Sequence, residues 1–341
     1  MPESPIVSRL KETRSFAPSA DFVKGARVRS HADYERLHRQ SLEQPEAFWR
    51  EQTQDLVWRK PWDTFHTWNL PNAEFFKGAQ LNVSESCLDR HLDTAARTRA
   101  AIVWEGEPGD TRTLTYFELH REVVRFAATL CDLGVLAGDR VAIYMGMLPE
   151  TVVAMLACAR LGATHTVVFG GFSAEALRDR INDCKCKVLI TQDAAWRRGG
   201  IVPLKQMADK ALEETPTIEK VIVVNRTEDA RHVHMKQGRD FWWHRLMEEV
   251  PSKHQAQPMD SEDPLYILYT SGSTGKPKGI LHTSGGYLAG VHVASKYIFD
   301  LKDSDLYWCT ADVGWVTGHS FIVYGPLSCG ASCMLYEGAP N

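Results

Sequence analysis

Apolar residues along this chain recur at two spacings, one helical and one extended. Tyr34, Leu37, Leu42, Phe48 and Trp49 return at roughly helical intervals, and Pro45 divides them into two predicted short helices. Trp58, Trp62, Phe65 and Trp68 then crowd together, as expected of an aromatic packing face. Thr115-Tyr116-Phe117-Glu118 has capping-box form. It predicts a helix with Leu119, Val123, Phe126, Ala127 and Leu130 on its apolar face, ended by Gly134. A strand over 141–145 follows. Pro149 suits the first turn of the next helix, which carries Val152, Val153, Leu156 and Ala159 and stops at Gly162. A strand over 166–169, a helix capped by Ser173 running to Ile181, and a strand over 188–191 continue the alternation. Further strands are predicted over 265–268, 306–310 and 331–336, with a helix between His282 and Phe299. The charged stretch 225–239 reads as an exposed connection or hairpin.

Helices alternating with short β-branched strands predict an α/β fold with a parallel, doubly wound sheet, preceded by a mostly helical lead-in. Ligands of such folds gather in loops at the carboxyl ends of strands. Three loops of suitable chemistry fall there: Gly170-Gly171, residues 193–200, and the glycine-rich segment after the 265–268 strand.

The length of 341 residues suggests roughly two domains. A composition of 44% hydrophobic and 24% charged residues is that of a soluble globular chain. A net charge of -4 excludes nucleic-acid binding through a broad basic surface. No apolar run approaches the ~18 residues of a membrane span, so no membrane partner is expected. Residues 1–30 lack the apolar core of a secretory signal and are expected to be disordered or extended; Glu3, Glu12 and Asp21 also count against a transit peptide. A cytoplasmic location is therefore expected. The eight cysteines lack paired zinc-ligand spacing, which predicts buried free thiols and no tightly bound metal.

The chemistry concentrates in Tyr269 to Gly279. Its eleven residues hold three glycines, two lysines and, in Thr270, Ser271, Ser273 and Thr274, four aliphatic hydroxyls. Unhindered backbone N–H groups, hydroxyls and ammonium groups suit a polyphosphate. The segment is not a Walker A loop. Only Ser273 and Thr274 separate Gly272 from Gly275, and Pro277 follows Lys276 where that motif needs a hydroxyl.

This loop resembles the signature of the adenylate-forming enzymes, a superfamily that includes the acyl-CoA synthetases. Three further segments narrow the likeness: Leu81 to His91 resembles the N-terminal segment of its short-chain acyl-CoA synthetase branch, and Phe169-Gly170-Gly171-Phe172-Ser173 and Ala311 to Ser320 resemble the acetyl-CoA synthetases in particular. The resemblance divides the chain into residues 1–30, an N-terminal segment over 31–88, and an incomplete AMP-binding domain over 89–341. It implies acetate, ATP with Mg²⁺, and coenzyme A as substrates, with acetyl-adenylate as intermediate. Propionate or another short acid, or a non-catalytic nucleotide-binding fragment, remain alternatives.

The site residues that the resemblance implies follow by position. Thr270, Ser271, Gly272, Ser273, Thr274, Gly275, Lys276, Lys278 and Gly279 match the ATP phosphate loop. Trp315, Val316 and Thr317 match the acyl pocket, and Thr317 also a CoA contact. Arg197, Arg198, Gly199 and Gly200 match the segment that binds the 3′-phosphate of CoA, although the family often carries a second arginine where Gly200 stands. Gly170, Gly171 and Asn341 match further CoA contacts. His319 is open between polarising a carboxylate and capping a helix, whereas His165 is expected to be structural. The resemblance also implies that the family's catalytic lysine and small C-terminal domain lie outside these 341 residues. The 331–336 strand should then lack neighbours and leave an apolar edge open.

Overall fold

The computed structural model describes residues 14–227, 233–250, 253–270 and 277–338. The chain divides into two compact units after Phe48. In the first, Ser19 caps the helix Ala20–Gly25, within a stretch expected to be disordered or extended, and Ser30 caps the helix His31–Glu43. A third helix, Pro45–Gln52, starts at the dividing proline.

The second unit is built on a seven-stranded sheet. Its order is Asp240–Trp242, Lys220–Val224, Val188–Gln192, Arg140–Met145, Thr164–Phe169, Pro264–Thr270 and Lys278–Thr283. Every pairing is parallel except the last, an antiparallel hairpin. The central strands Arg140–Met145, Thr164–Phe169 and Val188–Gln192 are buried almost along their whole length because both of their faces are covered. Ile143, Val188, Ile190 and Ile222 point into one core, with the helices Tyr116–Asp132 and Pro149–Leu161. Ala142, Tyr144, Leu189 and Val221 point into the other, with the helices Ala174–Cys184 and Leu204–Leu212. This is the doubly wound arrangement that the alternation predicts.

The sheet has a switch point. From the Arg140–Met145 strand the chain turns to the first face, and from its neighbour Val188–Gln192 to the second. Connections leaving adjacent strands toward opposite faces open a crevice at their carboxyl ends.

A second sheet, of four strands, runs in the order Leu306–Trp308, Ser332–Tyr336, Ala100–Glu105, Thr111–Thr115. Here the expectation for the last strand fails. Ser332–Tyr336 is paired in parallel on both sides, through Tyr307↔Cys333 and Cys333↔Ile102. Order along the chain is not order in space: the earlier strand Leu306–Trp308 takes the edge, leaving Leu306 60% and Trp308 51% exposed.

Local signals behave as predicted. Thr115 and Glu118 form a complete capping box. Pro149 opens its helix, and Gly162 closes it at φ +77°. Of the aromatic cluster, Trp58, Trp62 and Phe65 pack around Phe76 at 5.0–5.5 Å between ring centroids. Trp68 stands apart, 63% exposed. No helix among the described residues is long and apolar enough to cross a membrane.

Candidate nucleotide and acyl site

A cavity of about 260 Å³ opens at the carboxyl ends of both sheets. Met147 and Phe169 come from the large sheet, Trp308 to Asp312, Tyr336 and Gly338 from the small one, Arg197 from the 195–202 hairpin and Trp315 from a loop. The structure thus brings together one residue from the implied CoA segment and one from the implied acyl loop. The Arg197 guanidinium lies 5.0 Å from the Phe169 ring centroid, and it has no carboxylate ion pair among the described residues. A cation held against an aromatic face and left without a counter-ion suits an anionic ligand.

The Trp315 loop is held from below. Asp312 accepts from the Gly314 N–H at 2.7 Å, and its backbone carbonyl accepts from the Trp315 N–H at 3.1 Å. Burial raises the Asp312 pKa, while the Gly314 N–H and the Arg197 charge oppose that shift. Two glycines are sterically required. A Cβ on Gly314 would stand 2.9 Å from the Phe169 Cβ, and one on Gly318 would stand 2.1 Å from the Asp312 carbonyl oxygen. Trp315 and Val316 are left about half exposed at the loop's crest, with Thr317 beside them. Val316 and Thr317 flank the cavity without lining it.

Of the two roles held open for it, His319 takes the capping one: it stands at the C-cap of the short helix Val316–Gly318, its backbone N–H bonded to the Val316 carbonyl. It is fully buried under this loop, with Nδ1 3.2 Å from the Trp315 carbonyl and its ring stacked on His165 at 5.7 Å. Burial lowers its pKa to about 4, so it stays neutral. His165 is equally buried and bonds Tyr324 Oη at 3.0 Å, a structural histidine as expected.

Residues 195–202 form a hairpin rather than a plain loop. Strand Ala195–Arg197 pairs with strand Gly200–Val202 across the tip Arg198-Gly199. Arg198, Gly199 and Gly200 are exposed at that tip, beyond the cavity wall. Gly170 and Gly171 leave the sheet directly after Phe169. A Cβ on Gly171 would meet the Phe169 ring at 2.5 Å, and one on Gly170 the Met145 carbonyl at 3.2 Å.

The glycine-rich segment leaves the sheet at Thr270 and re-enters at Lys278, which pair with each other. Pro264–Thr270 is parallel to Thr164–Phe169, so this departure is at the cavity end of the sheet. Thr270, Lys278 and Gly279 are exposed. Ser271, Gly272, Ser273, Thr274, Gly275 and Lys276 lie outside the described residues, as does Asn341.

Sequence reasoning missed Met147, Tyr336 and Gly338 of the cavity wall, and Glu107, which bonds the hairpin tip. Phe169 lay inside a recognised segment, but nothing in its sequence context marked it as the seat of an arginine.

The comparisons with known proteins agree with this geometry. The family model described as "AMP-binding enzyme" matches residues 88–341, and that described as "Acetyl-coenzyme A synthetase N-terminus" matches residues 34–87. The acetyl-coenzyme A synthetase of Gemmatimonas aurantiaca is 56% identical over 97% of this chain and 51% of its own length. That of Deinococcus radiodurans is 52% identical over 100% of this chain and 52% of its own length. Among solved structures, an acetoacetyl-CoA synthetase from Streptomyces lividans superposes with a TM-score of 0.85 at 29% identity, over 95% of this chain and 51% of that one. The chain thus spans about half the length of the curated relatives it matches. It belongs to the AMP-binding enzyme family, and within that family it corresponds to the N-terminal half of the acetyl-coenzyme A synthetases.

Proposed function

We propose that this chain supplies the nucleotide-phosphate, acyl and CoA-phosphate sites of an acetate–CoA ligase. The substrates are acetate, MgATP and coenzyme A, and the products acetyl-CoA, AMP and diphosphate. A carboxylate is a poor acyl donor because its leaving group would be oxide. An acetate oxygen therefore attacks the α-phosphorus of ATP, expelling diphosphate. The CoA thiol then attacks the carbonyl carbon of acetyl-adenylate and expels AMP.

Two anions must meet in the first step, so charge neutralisation and positioning dominate its barrier. Lys276, Lys278 and the N–H groups of residues 270–279 take the ATP phosphates. Trp315 and Val316 face the acetate methyl with apolar surface, and Thr317 contacts CoA. Arg197 takes a CoA phosphate, with Gly170 and Gly171 letting the nucleotide approach the backbone.

The observation that carries this reading is the shared cavity: Arg197, without an ion pair among the described residues, and Trp315 line one space at the strands' carboxyl ends. Its test separates the half-reactions in a protein carrying this chain. Arg197→Ala is expected to raise the KM for CoA at least ~10-fold, the worth of one charge-assisted contact, while acetate-dependent adenylation changes less than about twofold. Equal losses in both half-reactions would contradict the assignment.

A further inference from the structure

We infer that Glu107 occupies, as an internal anion, the binding tip of the 195–202 hairpin, and that a phosphate monoester must displace it to bind there. The identity of that monoester, the 3′-phosphate of CoA, rests on the function proposed above. The occupancy by Glu107 does not.

The tip residues Arg198 and Gly199 have φ of +52° and +73°. Two successive left-handed residues make a tight two-residue hairpin turn, whose central N–H groups point outward from the ladder. Successive outward N–H groups form a concave anion receptor. The Glu107 carboxylate fills it: Oε2 accepts from the Arg198 N–H at 2.9 Å and Oε1 accepts from the Gly199 N–H. Two oxygens on two adjacent amides is also how a phosphate would sit.

Glu107 is an odd occupant on charge grounds. Its acidic neighbours are neutralised, because Arg226 Nη2 binds Asp110 at 2.9 Å and Glu337 at 2.7 Å. Glu107 has no cation partner among the described residues. The two guanidiniums of the hairpin, on Arg197 and Arg198, likewise have no ion pair there. The tip amides are therefore occupied by one negative charge, while the two arginines carried by the same hairpin have no ion pair among the described residues. A phosphate dianion satisfies the amides and the arginines together, whereas a carboxylate on a short tether satisfies only the amides. The Glu107 backbone is pinned in its turn by Gly106 N–H to Asp110 O at 2.7 Å and Gly109 N–H to Gly106 O at 2.9 Å. Displacement then needs only side-chain rotation. The consequence is an affinity cost confined to ligands that carry the phosphate: a ligand lacking it leaves Glu107 in place and is not affected.

The test follows backbone amide resonances of the whole chain during titration with inorganic phosphate, CoA and 3′-dephospho-CoA. It compares the unaltered chain with Glu107→Gln and Glu107→Ala, and unchanged resonances away from the hairpin show that each variant folds. Arg198 and Gly199 are expected to respond to phosphate at about tenfold lower concentration in Glu107→Ala, with Glu107→Gln between. CoA is expected to bind Glu107→Ala about tenfold tighter, and 3′-dephospho-CoA unchanged. Identical phosphate responses in all three chains, or CoA selectivity indifferent to Glu107, would overturn the inference and leave the ligase reading standing. Hairpin amides that answer to phosphate in a Glu107-dependent way, in a chain that binds both coenzyme forms alike, would uphold the inference and overturn the CoA assignment.

Discussion

At the residue scale, the site depends on close approaches that only glycine permits. Gly318 is the sharpest case, since a methyl group there would stand 2.1 Å from a backbone oxygen that cannot yield. Gly318→Ala is expected to destabilise the chain by about 2–3 kcal/mol and to move the Trp315 indole. Urea unfolding and tryptophan fluorescence check this, and unchanged midpoints would contradict it. Chemistry-bearing residues were legible where they clustered: Arg197 and Trp315 were marked by their segments, and they do share a cavity. Glu107 was not legible. Its carboxylate works through a backbone contact spanning 91 residues of sequence, which no local pattern encodes. His319 was ambiguous for a related reason, since burial under the Trp315 loop, not the side chain's own chemistry, makes it a neutral prop.

At the element scale, sequence reasoning succeeded where end signals and period agreed. The helix Tyr116–Asp132 has both a capping box and a continuous apolar face. Thr115→Ala removes the hydroxyl that accepts from the Glu118 N–H at 3.2 Å, and is expected to cost about 1 kcal/mol. A denaturant midpoint unchanged within error would contradict that. The Lys220–Val224 strand was missed although four successive β-branched residues announce it. Asp240–Trp242 and the 195–202 hairpin were missed with better cause, for three-residue strands carry no readable period. The error over Ser332–Tyr336 came from treating chain order as sheet order. A parallel sheet inserts late strands between earlier ones, and register is set by faces brought together in three dimensions.

At the scale of the whole molecule, the doubly wound architecture was visible in the alternation of elements, and its family in a few dense segments. Acid sensitivity is a property of this scale, because buried histidines couple it to global folding. Burial lowers His91 and His319 from the usual 6.5 to about 4 each. Between those values the unfolded chain binds more protons than the folded one, so stability falls as pH drops from about 6.5 toward about 4. Each histidine contributes on the order of 3 kcal/mol to that loss. His91→Gln and His319→Gln are each expected to flatten the dependence of unfolding free energy on pH in this window, and an unchanged slope would contradict the burial account.

The central claim is that the glycine-rich segment after Pro264–Thr270 grips ATP for carboxylate activation. Exchange of labelled diphosphate into ATP, with and without acetate, tests it most directly in a protein carrying this chain. The account predicts exchange that requires acetate and falls about 100-fold or more in Gly275→Leu, which puts a side chain where backbone must approach phosphate. Exchange that ignores acetate, or that survives Gly275→Leu at the unaltered rate, would contradict it.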